Sequence, residues 1–476
     1  MKKVFLFTVS TFITLSFFSC NTDSQKSDDG WTNLFDGKTL DGWKKLAGTA
    51  DYKVEDGAIV GTTVLNSGNT FLVSDKEYGD YVLELDVKIM DTTSNSGIQI
   101  RSHYDSAGHE GKGLVYGRQF EIDPSSRAWS GGIYDEGRRG WQYPLDLHPE
   151  ARDAFKVGEY NHIKMECIGN EIKTWINDKP IAYLVDTLDK TGFIALQVHA
   201  VSKPEYAGEK VYWKNIRIKT TDLAPTPFPE GIFVVNNVLN NLNAYQENSG
   251  WKLLFNGKDT TGWKGAYQPG FPEKGWQIKD GIITVLSSEG KEGANGGDIV
   301  TRDEYSAFDL SFEFKLTPGA NSGVKYFVTL SEHNKGSAIG LEYQVLDDTL
   351  HPDAKKGRDG DRTLASLYDL IAAQKQPRFV RPIGEWNKGR VVVNPDNHVI
   401  HYLNGVKVLE YVRGSKEYRD LVAISKYKIW PNFGEAKQGH ILLQDHGNQV
   451  SFRSIRLREL NNLKIKKHEK FTSFVY

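Results

Sequence analysis

The chain has 476 residues, 39% of them hydrophobic and 25% charged, with a formal net charge of -2. That balance excludes a nucleic-acid binder built on a basic face, and the length exceeds one ordinary core, so two or three domains are expected. Forty-six glycines, 23 Phe, 22 Tyr and 11 Trp against three Met point to aromatic-rich sheets joined by many turns rather than to helix bundles.

Residues 1–20 read as an address. Lys2 and Lys3 precede an apolar run from Val4 to Phe18 that is too short and too N-terminal for the usual membrane span, and Ser19-Cys20 closes it. A small residue before Cys20, followed by the polar tether 21–30, is similar to a bacterial lipoprotein signal in which Cys20 is lipidated. Phe17 and Phe18 depart from the usual pattern and leave plain secretion as the alternative. Both readings imply export, to the periplasm, outer membrane or cell surface, with membrane contact only through the N-terminal lipid. With Cys20 lipidated, Cys167 is the sole remaining thiol. No intramolecular disulfide or Cys-built zinc site is expected, and its place in the alternating run Ile163 to Ile176 suits a small core residue.

From Trp31 onward one design occurs twice. Leu34-Phe35-Asp36-Gly37 and Gly42-Trp43 are matched 220 residues later by Leu254-Phe255-Asn256-Gly257 and Gly262-Trp263. Next come alternating strands, with Tyr81, Leu83, Leu85, Val87 and Ile89 in the first copy and Phe308, Leu310, Phe312, Phe314 and Leu316 in the second. Each runs toward an Asn-Ser-Gly tripeptide, at Asn95 and Asn321. Glu159-Tyr160-Asn161 corresponds to Glu385-Trp386-Asn387, the turn pair Asn177-Asp178 to Asn404-Gly405, and Leu196-Gln197-Val198-His199 to Leu443-Gln444-Asp445-His446, by which point the offset is 247. Period-two alternation buries one face of each strand, and Asn/Asp-Gly pairs supply tight hairpins. The prediction is two copies of an all-β, two-sheet jelly-roll sandwich. Domain bounds follow: a first sandwich at 31–220, a Pro- and Asn-rich linker at 221–249 packed by Phe233, Val234, Val235 and Leu239, a second sandwich at 250–460, and a solvated basic tail at 461–476. Leu364 to Ala373 is the best candidate for a short helix.

Polar residues that share strand faces are the candidates for chemistry. Gln119, Glu121 and Asp123 are cofacial in the first copy, with Phe120 and Ile122 turned to the core; Glu342 and Gln344 are their counterparts in the second. Paired donors and acceptors over an apolar backing are what a sugar-binding sheet needs, although a solvated strand face gives the same pattern. Gln197 and His199 share one face, Gln444 and His446 another. Repetition raises these histidines above the usual structural role, as His suits proton transfer near neutrality. Arg101 and Lys325 are expected at equivalent cationic positions beyond the Asn-Ser-Gly motifs, with Gln99 alongside. His401 and Tyr368 are expected to join the second site, and Trp129, Tyr134 and Arg139, in the loop Arg127 to Trp141, the first. Asp347, Asp348 and Asp353 are hard-oxygen candidates for calcium, at no diagnostic spacing.

The ordered set of repeated motifs resembles the 3-keto-disaccharide hydrolase family, also described as 3-keto-glucoside 1,2-lyase/3-keto-2-hydroxy-glucal hydratase domains, over nearly all of the mature chain and once per copy. The resemblance implies a concanavalin-A-like jelly roll acting on glycosides already oxidised at C3. A C3 ketone acidifies the C2 proton; a base removes it, the C1 substituent leaves by β-elimination, and water adds to the product. Such chemistry needs a base, an oxyanion or metal site at the ketone, and a proton donor. Under this resemblance His446 or Glu342 is the base of the second copy, Lys325 polarises the ketone, and Gln444 binds hydroxyls. The first copy offers His199, Glu121 and Arg101, with Gln197 binding. No cofactor is fixed by any motif; a divalent metal ion stays open. The expected partner is a glycan or 3-keto-glycoside, and no nucleic acid.

Two rivals remain at this level. A glucanase on the same fold would use a Glu-x-Asp-x-(x)-Glu strand, but Ser125 and Ser126 follow Glu121 and Asp123 where the third carboxylate belongs, which leaves Glu136 or Asp135 to fold back. A non-catalytic carbohydrate-binding protein is compatible with the architecture as well.

Overall fold

The computed structural model describes residues 29–331 and 337–460. The signal segment, Cys20, nearly all of the tether and the basic tail lie outside the described residues.

The long alternating strands predicted from the sequence are central strands. Tyr81–Ile89 lies between Asn161–Ile168 and Lys210–Lys219 in a nine-stranded sheet, and Phe308–Leu316 lies between Trp386–Val393 and Val450–Glu459 in an eight-stranded one. Leu83, Leu85 and Val87, like Leu310, Phe312 and Phe314, are fully buried against a second sheet. In the first sandwich that sheet has seven strands, in the order Gly140–Tyr143, Ile133–Glu136, Leu114–Ile122, Ser96–Asp105, Gly192–Val198, Thr70–Tyr78 and Trp43–Leu46. In the second it has five, in the order Trp263–Gly265, Ile299–Thr301, His440–Leu443, Asn321–Thr329 and Ile339–Leu346. The protein is all-β, two tandem jelly-roll sandwiches. Cys167 is a fully buried free thiol, as its place in an alternating run predicts, and burial pushes its pKa up.

Most repeated motifs are structural devices. The indole of Trp43 donates to the carbonyl of Leu34 at 2.7 Å and that of Trp263 to Leu254 at 2.5 Å, so each Gly-Trp pins its own Leu-Phe opening. Asp36 and Asn256 each accept from the two backbone amides of the turns that follow. Asn177 donates to Asn161 at 3.0 Å and Asn404 to Asn387 at 2.8 Å; Asn177-Asp178 and Asn404-Gly405 take the positive φ values of a tight hairpin.

Two expectations are corrected. Leu364 to Ala373 is not helical: Gln344 exchanges backbone hydrogen bonds with Ala365 and Ser366, Leu367 bridges to Tyr343, and Ala365 and Asp369 have positive φ. The sheet edge claims the amides a helix would use. A regular helix of nine residues occurs instead at Lys416–Ile424, capped by Ser415. The linker is also more ordered than its composition suggests. Val235–Asn236 pairs in parallel with Leu184 and Val185, Phe228 and Val234 pack on Trp175 and Tyr183, and Ala244–Asn248 forms a short helix with a capping box at Asn243. Leu239 stays exposed.

The sandwiches share apolar packing. Ala307, Phe379, Val392, Tyr402 and Leu460 of the second belong to the core cluster of the first. Arg456 donates to the carbonyls of Asn236, Val238 and Asn241, tying the linker to the second sandwich. Phe312 fills the space over Gly389 and stands edge-on to Tyr343 at 5.2 Å. Phe312→Ala is expected to destabilise the protein by about 3–5 kcal/mol in denaturant titration; a loss below about 1 kcal/mol would contradict its place at the centre of the core.

Candidate active site

Both sites are built on the outer face of the smaller sheet, and a glycine determines their floor. Gly97 pairs with Glu121 and Gly323 with Gln344 across the sheet. A Cβ on Gly97 would lie 2.2 Å from Cδ of Gln119, and one on Gly323 2.6 Å from Oε1 of Glu342. The Gly of Asn-Ser-Gly is therefore the bare patch over which the neighbouring strand's long polar side chain lies. The preceding serine fastens the adjacent strand: Ser96 donates to the carbonyl of Gln197 at 2.7 Å and Ser322 to that of Gln444 at 2.8 Å.

In the second sandwich this floor carries an ion pair. Nζ of Lys325 lies 3.8 Å from Oε2 of Glu342, both nearly buried, and donates to Ser337 Oγ at 2.7 Å and the Ala338 carbonyl at 3.1 Å. Asp298, buried beneath, accepts from the Ser337 hydroxyl and from the amides of Ala338 and Asp445. Burial raises its pKa while the Lys325 charge pulls it down. Oε1 of Gln444 and Oδ1 of Asn321 are buried with no protein hydrogen-bond partner, and both residues line the cavity of about 280 Å³ above the floor. Gln344, Tyr368 and His446 also line it. The Tyr368 hydroxyl donates to Asp353 at 2.6 Å, and the His446 ring stands 5.9 Å from that of His351, which burial and His446 together hold below the ordinary imidazole range.

The first sandwich has the same scaffold with different occupants. Gln99 takes the place of Lys325 and Gln119 that of Glu342, because Gln99 pairs with Gln119 as Lys325 pairs with Glu342. Ser102 donates to Gln99 at 2.6 Å, Gln99 to Gln119, and Gln119 to Glu121 at 2.8 Å; Asn95 donates to the other Glu121 oxygen at 2.9 Å. Every donor in the chain points toward one carboxyl. Burial nevertheless pushes the Glu121 pKa up to about 7 against these hydrogen bonds. Both amide atoms of Gln197 are buried without partners. Tyr134 pairs with Gln119 on this face, as Tyr368 flanks Glu342.

Several expected site residues are placed elsewhere. Arg101 is not the counterpart of Lys325: Arg101 and Phe327 occupy the same positive-φ bulge. The Arg101 guanidinium turns away to the carbonyls of Gly79, Cys167 and Gly169 and to Asp80. His401 lies in the core between Tyr326 and the Ala365 carbonyl, its pKa lowered by burial to about 4, and is absent from the cavity lining. His199 is bound to the Ala200 carbonyl at 2.8 Å and lines a separate recess of about 260 Å³ with Ser94 and Glu209. Trp129 is buried against Trp141 and Phe379. Asp123 pairs with Arg127 at the strand end, and Arg139 with Asp135 and Asp186. Asp347, Asp348 and Asp353 are engaged by backbone amides, Lys375 or Arg362, and no cluster of three or more metal-ligating side chains occurs among the described residues.

Sequence reasoning missed the roof of the second cavity. Lys426 sits 4.1 Å over the Tyr368 ring, its pKa lowered by burial, and Tyr427 stacks on Phe433 beside it. Nothing in the spacing of this Lys-Tyr pair marks it; it arrives through the insertion after the helix Lys416–Ile424. Asp298 and Ser337 likewise act through fold-dependent contacts, Asp298 with Ser337, Ala338 and Asp445 and Ser337 with Lys325 and Asp298.

Residues 30–219 and 250–458 match the family of 3-keto-alpha-glucoside-1,2-lyase-like domains, and the chain belongs to that family. Among curated proteins, the 3-keto-disaccharide hydrolase of Bacteroides thetaiotaomicron is 38% identical over 233 residues, covering 44% of this chain and 79% of that protein. A solved chain from Parabacteroides distasonis that carries a provisional glycosyl hydrolase name is 31% identical, covers 47% of this chain and all (100%) of its own, and has a TM-score of 0.41. A carbohydrate-binding module from Bacillus subtilis is 17% identical over 37% of this chain and 94% of its own, with a TM-score of 0.26.

The raised Glu121 pKa has a stability consequence of definite sign. An acid whose folded pKa lies above its unfolded value stabilises the fold fully below the unfolded pKa, near 4.5, and this is lost as pH rises through about 7. Across that window the contribution is about 3 kcal/mol, at about 1.4 kcal/mol per pKa unit. Glu121→Gln is therefore expected to flatten the fall in melting temperature between pH 4.5 and 7; parallel curves for variant and parent would show that Glu121 titrates normally.

Proposed function

We propose that the protein cleaves 3-keto-glycosides by β-elimination followed by hydration, a net hydrolysis of the glycosidic bond, and that turnover occurs in the second sandwich. The observation that carries this reading is the buried Lys325–Glu342 pair, 3.8 Å apart, on the floor of a cavity whose wall holds unpartnered amide oxygens. It is supported by membership in the family and by the name of the Bacteroides relative.

In this mechanism the Glu342 carboxylate takes the C2 proton of the bound 3-keto sugar, and the electron pair moves toward the C3 oxygen. The Lys325 ammonium faces that oxygen and stabilises the enolate charge, a larger effect in a half-dry cavity than in water. Ser337 and the Ala338 carbonyl, held by Asp298, fix the lysine so that little reorganisation accompanies the charge shift. The enolate collapses with cleavage of C1–O, and His446, at the rim, protonates the departing oxygen. Water then adds at C1 and a proton returns to C2. Oε1 of Gln444, which has no protein hydrogen-bond partner, accepts from a sugar hydroxyl.

The first groove lacks the cation–acid pair of this chemistry, since Gln99 and Gln119 stand where Lys325 and Glu342 do, and its carboxyl, Glu121, has no cation beside it among the described residues. Its ordered amides suit hydroxyl recognition, so we assign it binding rather than turnover. Export and lipidation at Cys20 are part of the proposal, with the protein in the periplasm or at the outer membrane or cell surface.

Lys325→Met and Glu342→Gln should each lower kcat/KM on a 3-keto-glucoside by about 100-fold or more, while Glu121→Gln should change kcat less than about threefold. Full turnover in the Lys325 variant would sink the assignment, and loss of kcat in the Glu121 variant would move the chemistry to the first groove.

A further inference from the structure

A cavity of about 500 Å³ belongs to neither groove. It lies between the sandwiches, walled by the first, the linker and the outer face of the eight-stranded sheet. Its lining is strongly cationic, and most of those charges are compensated. Arg139 pairs with Asp186 at 2.6 Å, Arg390 with Asp309 at 2.7 Å and Arg453 with Glu313 at 2.7 Å, and Arg456 is satisfied by three linker carbonyls.

Two cations are left over. The Arg381 guanidinium has no hydrogen bond or ion pair among the described residues; Glu385 and Asp135 act on it only from beyond contact, and Arg139 repels it. Among the described residues the Lys388 ammonium bonds only to the amide oxygen of Asn237, with Glu313 and Asp186 also beyond ion-pair distance. Burial lowers the pKa of both, that of Lys388 to about 8. A half-buried cation without a counter-charge is costly, and an arriving anion recovers that cost by supplying the missing partner.

We infer that this cleft is a third ligand site, taking an acidic saccharide whose carboxylate or sulfate bridges Arg381 and Lys388. An inorganic ion is too small for the space, which is in the range of sites for small organic ligands. Trp141, Trp386 and Gln142 line the rest of it, with the Arg453 guanidinium stacked on the Trp386 ring at 4.0 Å and the Gln142 amide bonded to Arg139, Gly140 and Asn237, an aromatic and polar wall that suits a sugar. Arg381 also lies near Tyr134 of the first groove, with Gly140 between them. An acidic unit in the cleft and a neutral one in that groove are within reach of a single oligosaccharide.

Calorimetric titration of the full chain tests this with a galacturonic acid disaccharide, glucose 6-sulfate, cellobiose and inorganic sulfate. The acidic sugars are expected to bind at least about tenfold more tightly than cellobiose, and more weakly as salt rises from about 0.02 to 0.2 M. Carboxylate-selective or sulfate-selective binding would each support the site and identify the acidic group. Arg381→Gln and Lys388→Met should each weaken that binding about tenfold or more; Arg381 is on a loop, so its variant remains informative if the lysine variant does not fold. Equal affinity for cellobiose, equal affinity for sulfate alone, no binding of either acidic sugar at 10 mM, or unchanged affinity in folded variants would overturn the inference. Because the readout is binding, failure here leaves the assignment of turnover to the second sandwich intact.

Discussion

A missing side chain organises both grooves. At Gly97 and Gly323 the backbone must lie within van der Waals reach of a long polar side chain from the next strand, and any Cβ would collide with it. With the glycine in place, Gln119 or Glu342 is pressed flat against the sheet, turned toward Gln99 or Lys325 and prevented from reaching bulk solvent. The serine before each glycine bonds to the strand on the other side. One tripeptide thus sets the spacing of three strands and the orientation of the groups between them, and such fixing of polar groups is the condition for electrostatic catalysis.

On that common floor the two copies solve the burial of polar groups differently. The second balances a cation against an acid and holds the cation with a hydroxyl, a carbonyl and the Asp298 hub. The first has no net charge in the Gln99–Gln119 pair and instead gathers a line of donors onto Glu121. An ion pair concentrates field where a charge can develop in a substrate; a line of neutral amides offers direction without strong field. The floors differ in chemistry while the order of the shared strands, the bulge and the serine fastenings agree between copies. Duplication has kept the scaffold while leaving the groove free to change.

The architecture was legible because it rests on period-two burial and on turn chemistry, both local. Leu83 to Ile89 and Phe308 to Leu316 announce central strands by their alternation, and Asn404-Gly405 announces its hairpin. Within the site, Glu342, Gln344 and Lys325 could be found because each stands on a strand whose facing is fixed by its neighbours, and Gln444 because it directly follows one, His440–Leu443. Arg101 could not be placed by counting: a positive-φ bulge after Ile100 breaks the alternation and turns its side chain to the opposite side of the sheet. His401 has the alternation of a core position and a polar identity that suggests a surface, and only its partners Tyr326 and Ala365 decide between them. Lys426, Asp298 and Ser337 meet the site through contacts between segments distant in the chain, for which a lone sequence holds no periodic signal.

The same reasoning explains why the linker is more than a spacer. Its backbone supplies an extra parallel strand to the first sandwich and three carbonyls to Arg456 of the second, so its irregular composition coexists with a fixed path. Asn and Pro are poor in ladders but good at presenting unpaired backbone groups, and here those groups are the contacts. By fixing the sandwiches through polar backbone rather than a purely apolar seam, the linker leaves space beside it. The interdomain cleft, with Lys388 held by Asn237, exists because the joint is hydrogen-bonded at its back and open at its front.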